Sequence, residues 1–172
     1  MHSSIKKPLK KSLMEEQGYI CCYCERRISE DDSHIDHLRP QEEFGWSALD
    51  YGNMLCSCQL ELARNEPRHC GNSKGSWFNS ELLISPLDPS CENRFFYSLD
   101  GSICPADEKD MAATMTIEKL NLDGEKLNRL RKAAIEAFIM DPMETILAEL
   151  HREGMKEFYE FHTAIRIYYA SV

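Results

Sequence analysis

The sequence predicts an α+β protein, and three observations point to this fold class. Six of the eight cysteines lie between Cys21 and Cys70, in a stretch with few apolar residues to form a core. Short apolar segments typical of strands occur within the first 110 residues. Beyond that point, apolar residues recur at helical spacing. We therefore expect residues 1–110 to form a metal-stabilised module with short strands, and residues 111–172 to form a helical region.

The composition is that of one ordinary globular domain. The chain has 172 residues, of which 42% are hydrophobic and 28% charged, and this excludes disorder over the whole length. No apolar run approaches the roughly 20 residues of a membrane span. The lysine-rich start has no apolar stretch behind it, so we expect no secretory signal and a cytoplasmic protein. The net charge of −9 is unsuited to a nucleic-acid binder that relies on its own charge.

An N-terminal helix is predicted over residues 3–20. Leu9, Leu13 and Met14 lie at the spacing of one helix face, and the segment carries several lysines before them. Gly18 is a typical stop signal for such a helix.

The second half of the chain is predicted to contain a hairpin and several helices. A turn at residues 99–102 follows the aromatic segment 95–97, which favours a β-hairpin. Asp141 and Pro142 favour the N-cap and first turn of a further helix, which we expect to end at Gly154. A last helix is predicted from four apolar or aromatic residues at helical spacing: Phe158, Phe161, Ile165 and Tyr168.

The clustered cysteines predict a metal site rather than disulfides, because disulfides rarely persist in a protein without an export signal. Cys21 and Cys24 have two residues between them, a spacing that lets both thiolates bind one tetrahedral zinc ion. The alternative is that these cysteines are buried free thiols, which are common in protein cores. The candidates for the remaining two ligands are Cys56, Cys58, His69 and Cys70.

Polar side chains with catalytic chemistry lie within this cysteine frame. Asp36 and His37 occur in an alternating segment that favours a short strand ended by Pro40. Asn53 follows His37 by sixteen residues, and Asn72 lies near the predicted start of a helix. Taken singly, these residues have simpler explanations, namely a surface Asp-His pair and asparagines in turns. Their order within the frame favours a catalytic site.

Four pieces of sequence in this order resemble the HNH endonuclease family: a Cys-x-x-Cys knuckle, an Asp-His-x-x-Pro strand, an Asn-x-Leu-x-x-Cys segment and a Cys-x-Asn-x-Lys-Gly helix start. The phrases CCYCERRIS, HIDHLRPQEEF and HCGNSKG carry the resemblance, which covers about residues 5–140. It is closest to the PtuB-like branch, the nuclease subunits of Septu-type anti-phage defence, including retron-associated systems. The resemblance implies a zinc-stapled ββα-metal module, preceded by a helix and followed by a helical region.

The resemblance also implies a choice of zinc ligands. In HNH proteins the asparagine lies five residues before the third cysteine, which matches Asn53 and Cys58. Residues 59–69 make the second knuckle longer than usual, so the fourth ligand and the last HNH position stay open, with His69 as a spare candidate for either metal. The Zn²⁺ ligands implied in this way are Cys21, Cys24, Cys58 and Cys70.

The residue types suit phosphodiester hydrolysis, which needs a base for water and a cation for the developing charge. His37 can act as the base, since imidazole is largely neutral near pH 7. The side-chain carbonyl of Asn53 can accept from one nitrogen of this ring and so orient it. By resemblance, Asp36 and Asn72 would supply oxygen ligands to a catalytic ion, and oxygen ligands suit Mg²⁺ or Mn²⁺.

A chain with a net charge of −9 is expected to bind nucleic acid through basic residues concentrated at the site or through a partner. Arg39 and Lys74 are candidate phosphate contacts. The resemblance implies a partner, a PtuA-like ATPase of the SMC/ABC class, and in some systems a retron reverse transcriptase with its multicopy DNA. The aromatic residues near the C-terminus either dock this partner or pack in the protein's own core: Phe158, Tyr159, Phe161, Tyr168 and Tyr169.

The sequence therefore predicts a metal-dependent HNH endonuclease that cleaves nucleic acid, with DNA as the default, as an effector of anti-phage defence. One alternative is an RNA- or tRNA-cleaving nuclease of a retron system, because metal-site chemistry does not distinguish the two backbones. The other is a zinc-binding adaptor module whose catalytic centre is inactive.

Overall fold

Helix α1, Ser3–Glu16, begins the part of the chain that the computed structural model describes, residues 3–151 and 154–171. Its apolar face buries Leu13 and Met14, as the helical spacing predicted. Gly18 lies just beyond the helix with φ +60, a conformation that glycine adopts without strain. A Cβ atom at this position would overlap the ring of Phe158. The predicted helix is confirmed, but it ends at Glu16 rather than reaching residue 20, because the chain turns at Gly18.

Strands β1, Ser33–His37, and β2, Met54–Cys58, form an antiparallel pair. In this register Asp36 lies opposite Leu55, and His37 lies opposite Met54. The short strand predicted before Pro40 is therefore confirmed. A single helical turn, α2, Gly71–Lys74, follows the second strand after a long loop.

The predicted hairpin is also present. It consists of β3, Phe95–Tyr97, and β4, Ile103–Pro105, which pair antiparallel. Gly101, at φ +85, allows the turn between them. A side chain there would overlap the carbonyl oxygen of Asn128, so the hairpin tip lies directly against a helix of the second half.

Four helices complete the described fold: α3, Met111–Leu120; α4, Glu125–Glu136; α5, Met143–Glu149; and α6, His162–Ser171. The predicted bounds of α5 were wrong at both ends, because Pro142 rather than Asp141 occupies the N-cap position and the helix ends before Gly154. Pro142 has an extended backbone and no side chain that could cap the helix. Phe158 and Phe161 precede α6 instead of lying within it.

The core joins the two halves of the chain. One buried cluster includes Leu13 of α1, Met54 of β2 and Leu120 of α3, together with the buried cysteines. Phe161 and Tyr169 are buried, so these two aromatic residues pack inside this protein and are not available for docking a partner. This mixture of helices and small sheets confirms the α+β class. In the described residues, no helix has both the length and the apolar character needed to cross a membrane.

Candidate metal centre and catalytic site

The first half of the thiol site is a tight turn after α1. The N–H of Cys21 donates to the carbonyl of Arg26, and the N–H of Glu25 donates back to the carbonyl of Cys21. Glu25 has φ +62, which closes the turn. The N–H of Cys22 donates to the carbonyl of Cys56 at 3.2 Å and ties the turn to β2. The Cys-x-x-Cys segment is therefore held against the strand that carries the third cysteine.

The structure brings together the four cysteines that the sequence predicted as zinc ligands. Their sulfur atoms all lie within 4.8 Å of one another and all four side chains are buried. The Sγ atoms of Cys24 and Cys58 are 3.8 Å apart. Four sulfurs at the usual Zn–S length of about 2.3 Å would be separated by about 3.8 Å around a tetrahedral ion. The donor set and its spacing therefore fit Zn²⁺.

The electrostatics of these thiols call for a bound cation. Burial raises the pKa of Cys70 well above its usual value, and the neighbouring thiols raise it further. Burial also opposes ionisation of Cys21, but hydrogen bonds from Cys22, Cys24, Cys58 and Cys70 together lower its pKa well below the usual value. Cys21 therefore ionises more readily than Cys70. Full ionisation requires a metal.

His69 lies beside the thiols without joining them. Its Nδ1 is 3.1 Å from Sγ of Cys70 and 3.7 Å from Sγ of Cys58. Burial lowers the pKa of this imidazole to about 4, so the ring is neutral near pH 7. A neutral ring protonated on Nδ1 can donate to a thiolate sulfur. Within the described residues the metal-binding group includes neither His69 nor Cys56.

His37 lies at the end of β1 with its ring fixed by the backbone of the following loop. Its Nε2 is 3.1 Å from the carbonyl oxygen of Ala48, so this nitrogen carries the proton and donates. The other nitrogen, Nδ1, is then an acceptor. The side-chain amide nitrogen of Gln41 lies 2.8 Å from both ring nitrogens and can donate to Nδ1. Gln41 is exposed, so the acceptor nitrogen faces solvent-accessible groups.

Asn53 does not contact the ring of His37, which corrects the predicted hydrogen bond between them. Its Oδ1 accepts from the N–H of Arg39 at 2.8 Å. Its Nδ2 donates to the carbonyl of Arg39 at 3.1 Å and to that of Ser47 at 3.2 Å. The buried Asn53 side chain therefore secures the loop that presents the Ala48 carbonyl. It orients His37 through the loop rather than directly.

Asp36 is held by two buried or half-buried groups. Its Oδ2 accepts from the hydroxyl of Tyr23 at 2.6 Å and lies 3.4 Å from Nζ of Lys74. The Lys74 ammonium also donates to the carbonyl of His37 at 2.9 Å, and only 1% of its side chain is exposed. The predicted phosphate contact of Lys74 does not fit this burial. The lysine instead joins α2 to β1 next to the Asp-His pair.

Gly71 lies against Asp36 together with Lys74 of the same helical turn. An added Cβ at Gly71 would lie 3.1 Å from Cγ of Asp36 and 3.0 Å from Nε2 of His34. The amide nitrogen of Asn72 donates to the carbonyl of Gln59 at 2.5 Å. The expected pairing of Asn72 with Asp36 at one ion gains no support from these contacts.

Ser57 connects the two sites. Its Oγ accepts from the N–H of Gly71 at 3.1 Å and lies 3.8 Å from Sγ of Cys21. The thiol cluster and the space above Gly71 are therefore separated by one serine side chain.

An aromatic and a cationic side chain lie in the loop after His37. Trp46 is 75% exposed, which is unusual for so large an apolar side chain. The guanidinium of Arg39 lies 5.7 Å from the centre of its ring, within cation–π range. Arg39 is exposed, as its predicted role at phosphate requires.

The sequence reasoning missed three contributors to this region: Tyr23, His34 and Gly71. His34 lies half-buried near Asp36, and burial lowers its pKa. Its spacing of two residues from Asp36 was the available signal, because such residues share one face of a strand.

Comparison with known proteins agrees with the family resemblance of the sequence. No family model matches the chain. The chain is 31% identical over 144 residues to a protein of Vibrio cholerae serotype O1 biovar El Tor, named a predicted HNH endonuclease of retron Vc95, covering 78% of this chain and 67% of the relative. It is 27% identical over 188 residues to an Escherichia coli protein named a predicted HNH endonuclease of retron Ec83, covering 84% and 71%.

Proposed function

This chain belongs to the HNH endonuclease family, and on that premise we propose that it hydrolyses phosphodiester bonds of nucleic acid as the metal-dependent nuclease of a retron-type defence system. DNA is the default substrate. The observation that carries the proposal is the fixed ring of His37, whose Nε2 donates to the carbonyl of Ala48 and whose Nδ1 is left as an acceptor. The names of its retron-associated relatives support the genomic setting.

His37 is the general base of the proposed reaction. When one nitrogen of a neutral imidazole donates to a carbonyl, only the second nitrogen can accept a proton from water, and in His37 this is Nδ1. The hydrogen bond to Ala48 also prevents rotation of the ring, which keeps the acceptor aimed in one direction. Gln41 donates to the same nitrogen and is displaced when water takes that place. Asn53 acts as a positioning residue, because it secures the loop that carries Ala48.

Asp36 is the protein ligand that we assign to the catalytic divalent ion, Mg²⁺ or Mn²⁺. Its Oδ2 is engaged by Tyr23 and Lys74, whereas Oδ1 has no hydrogen bond among the described residues. An orientated carboxylate with one unengaged oxygen fits a hard cation. Such an ion, when bound, neutralises charge on the phosphate and on the leaving oxygen. We do not assign Asn72 as a second ligand, because its amide group donates to the carbonyl of Gln59 and no contact joins it to Asp36 among the described residues.

The four thiols hold a structural Zn²⁺ in this proposal. A closed set of four buried cysteines leaves no position for substrate, which is the property of structural rather than catalytic zinc sites. Their role is to fix the turn after α1, β2 and α2 relative to one another, because the ligands come from that turn, from β2 and from the residue before α2.

Nucleic acid is proposed to bind across the loop that follows His37. Arg39 is exposed and can neutralise a phosphate, and the exposed face of Trp46 can stack on an unpaired base. Both residues lie in the loop that also contains the fixed carbonyl of Ala48. Binding here would place the backbone near the acceptor nitrogen of His37.

A partner is proposed to supply the remaining affinity, since the net charge of −9 opposes binding to a polyanion. The sequence resemblance points to a PtuA-like ATPase of the SMC/ABC class, and a retron reverse transcriptase with its multicopy DNA is a further candidate component. Co-purification of this chain with a PtuA-like ATPase from the same genome tests the partnership. Separate elution of the two proteins in low salt would contradict it.

The nuclease proposal is tested by cleavage assays on the purified chain, alone and with the ATPase, in Mg²⁺ or Mn²⁺. We expect cleavage of DNA to fall by about 100-fold or more in His37→Ala, the loss typical of a removed general base. The matched control is His151→Ala, because His151 is exposed and far along the chain from this site. Equal cleavage by His37→Ala and the parent would overturn the assignment. Faster cleavage of RNA or tRNA would change the substrate while keeping the chemistry.

A further inference from the structure

We propose that His34 is a second protein ligand of the catalytic ion at Asp36, and that the resulting site prefers Mn²⁺ to Mg²⁺. This inference rests on the proposed function, because it needs an ion at Asp36. It adds a nitrogen ligand from β1 to the site, and it explains why a glycine occupies position 71.

The geometry brings two donor groups to one point. His34 and Asp36 are two residues apart on β1 and therefore lie on the same face of the strand. The position of a Cβ built on Gly71 is 3.0 Å from Nε2 of His34 and 3.1 Å from Cγ of Asp36. The imidazole nitrogen and the carboxylate thus converge on the space that the missing side chain leaves. Oγ of Ser57 lies 3.1 Å from the same point.

Both donors are available. The ring of His34 makes no hydrogen bond or ion pair to any residue in the described ranges, although it is half-buried. Asp36 keeps one carboxylate oxygen, Oδ1, without a hydrogen-bond partner in those ranges, while Tyr23 and Lys74 hold the other. A half-buried imidazole beside an anchored carboxylate is a preorganised pair of ligands rather than a pair of solvated surface groups.

The close surroundings of Gly71 support the same site. A side chain at this position would meet three polar groups at 3.0 to 3.1 Å, closer than ordinary contacts. The N–H of Gly71 is fixed by Oγ of Ser57, so the backbone of α2 cannot easily move away. Neither Gly71 nor Lys74, the α2 residues next to Asp36, can supply a ligand, and His34 supplies one from β1 instead.

The surrounding charges predict how strongly the ion binds. Nζ of Lys74 is 3.4 Å from Oδ2 of Asp36, and the positive charges of Lys6 and Lys10 act on His34. These cations oppose a divalent ion in the free protein. A phosphate of bound nucleic acid adds negative charge at the site, so we expect metal affinity to rise when a DNA oligonucleotide is present.

The mixed donor set decides the choice of metal. Imidazole nitrogen is a better ligand for Mn²⁺ and the later transition metals than for Mg²⁺, which prefers oxygen and keeps several waters. A site made of one imidazole and one carboxylate should therefore bind Mn²⁺ more tightly than Mg²⁺.

The test uses the full zinc-loaded chain with Mn²⁺ and a short DNA oligonucleotide, frozen before cleavage. Pulsed electron paramagnetic resonance detects nitrogen bound directly to Mn²⁺. We expect the nitrogen signal in the parent and in His37→Ala, and its loss in His34→Ala. A Mn²⁺ titration should show about tenfold or more weaker binding for His34→Ala. Gly71→Ala should weaken binding as well, because its methyl group fills the ligand space, and zinc content reports that each variant is folded.

The outcomes separate this inference from the proposed function. A nitrogen signal that persists in His34→Ala, or unchanged Mn²⁺ affinity in that variant, overturns the role of His34 even if the parent cleaves DNA. Absence of Mn²⁺ binding by the parent overturns it too. The parent could also show the nitrogen signal, lose it in His34→Ala, and yet cleave no nucleic acid. That result would support the ligand assignment and refute the nuclease proposal.

Discussion

The side chain of Asn53 bonds both backbone polar groups of Arg39: its Oδ1 accepts from the N–H of Arg39 at 2.8 Å, and its Nδ2 donates to the carbonyl of Arg39 at 3.1 Å. The same Nδ2 also bonds the carbonyl of Ser47. The buried side-chain amide of Asn53 therefore holds the loop between β1 and β2 at Ser47, the residue before Ala48. The carbonyl of Ala48 in turn orients His37. Orientation of the base depends on this loop.

Replacing Asn53 with alanine should impair both folding and catalysis. The change leaves a buried carbonyl of Ser47 and partly buried backbone groups of Arg39 without this partner, and each buried group left unpaired costs about 1–3 kcal/mol. We expect the free energy of unfolding to fall by about 2–4 kcal/mol and cleavage to fall because the His37 ring is released. Urea denaturation and cleavage assays measure the two effects. Asn93→Ala is the control, since Asn93 is exposed. An Asn53→Ala protein with parental stability and cleavage would refute the role of the Asn53 hydrogen bonds.

Removing the first two thiols should abolish metal binding and folding together. We expect the parent to contain about one Zn²⁺ per chain. The double variant Cys21→Ser/Cys24→Ser should lose the ion and the helical circular dichroism signal, because structural zinc supplies folding free energy. Elemental analysis and circular dichroism are the measurements. Cys104→Ser, which changes an exposed cysteine, should keep both. Zinc retained in the double variant would remove these cysteines from the site.

Lys74→Met should destabilise the protein and leave the salt dependence of nucleic-acid binding unchanged. Removing the Lys74 ammonium leaves the charge of Asp36 without its ion-pair partner, and breaking such a buried pair costs about 3–5 kcal/mol. A true phosphate contact would instead reduce the salt slope without loss of stability. Thermal denaturation and binding titrations at several salt concentrations distinguish these outcomes. Lys109→Met serves as the control because Lys109 is exposed.

Arg39→Gln and Trp46→Ala should weaken nucleic-acid binding through different forces. Loss of the Arg39 phosphate contact should reduce the slope of log affinity against log salt by about 0.9 on duplex DNA. Loss of stacking on Trp46 should cost about 1–3 kcal/mol on single strands and leave the slope unchanged. Fluorescence anisotropy at several salt concentrations measures both. Arg129→Gln, an exposed change on α4, is the control, and parental binding by both loop variants would exclude this face.

Glu66 provides a pH-dependent test of the loop between Cys58 and Cys70. A hydrogen bond from Lys126 lowers the pKa of Glu66 from 4.5 to about 2. A carboxylate with a lowered pKa stabilises the fold above pH 4.5, and this contribution is lost as the pH falls through about 2. In Lys126→Met the group should titrate near pH 4.5, whereas in the parent it should stay ionised at pH 3–4. Nuclear magnetic resonance of the Glu66 carboxyl carbon reports this, with Lys132→Met as the control on the same helix. Identical titration in both proteins would contradict the pairing.

Local patterns in the sequence were sufficient for the elements and for the thiol cluster. Helical spacing predicted α1, the turn at 99–102 predicted the β3–β4 hairpin, and the alternating segment before Pro40 predicted β1. The spacing of Cys21 and Cys24, together with the family resemblance, selected the four cysteines that meet in the structure. Such features depend on neighbours along the chain and on ligand types, and both can be read from sequence.

The tertiary structure alone decided which partner each polar side chain takes. Asn53 bonds Arg39 instead of His37, Lys74 is buried against Asp36, and Gly71 takes the place expected for Asn72. The same holds for Phe161 and Tyr169, whose burial removes them from any docking surface. Sequence determined that an Asp-His pair lies within a cysteine frame. The path of the loop between β1 and β2, and the packing of α2 on β1, determined the contacts, because hydrogen-bond partners depend on distances between segments far apart in the chain.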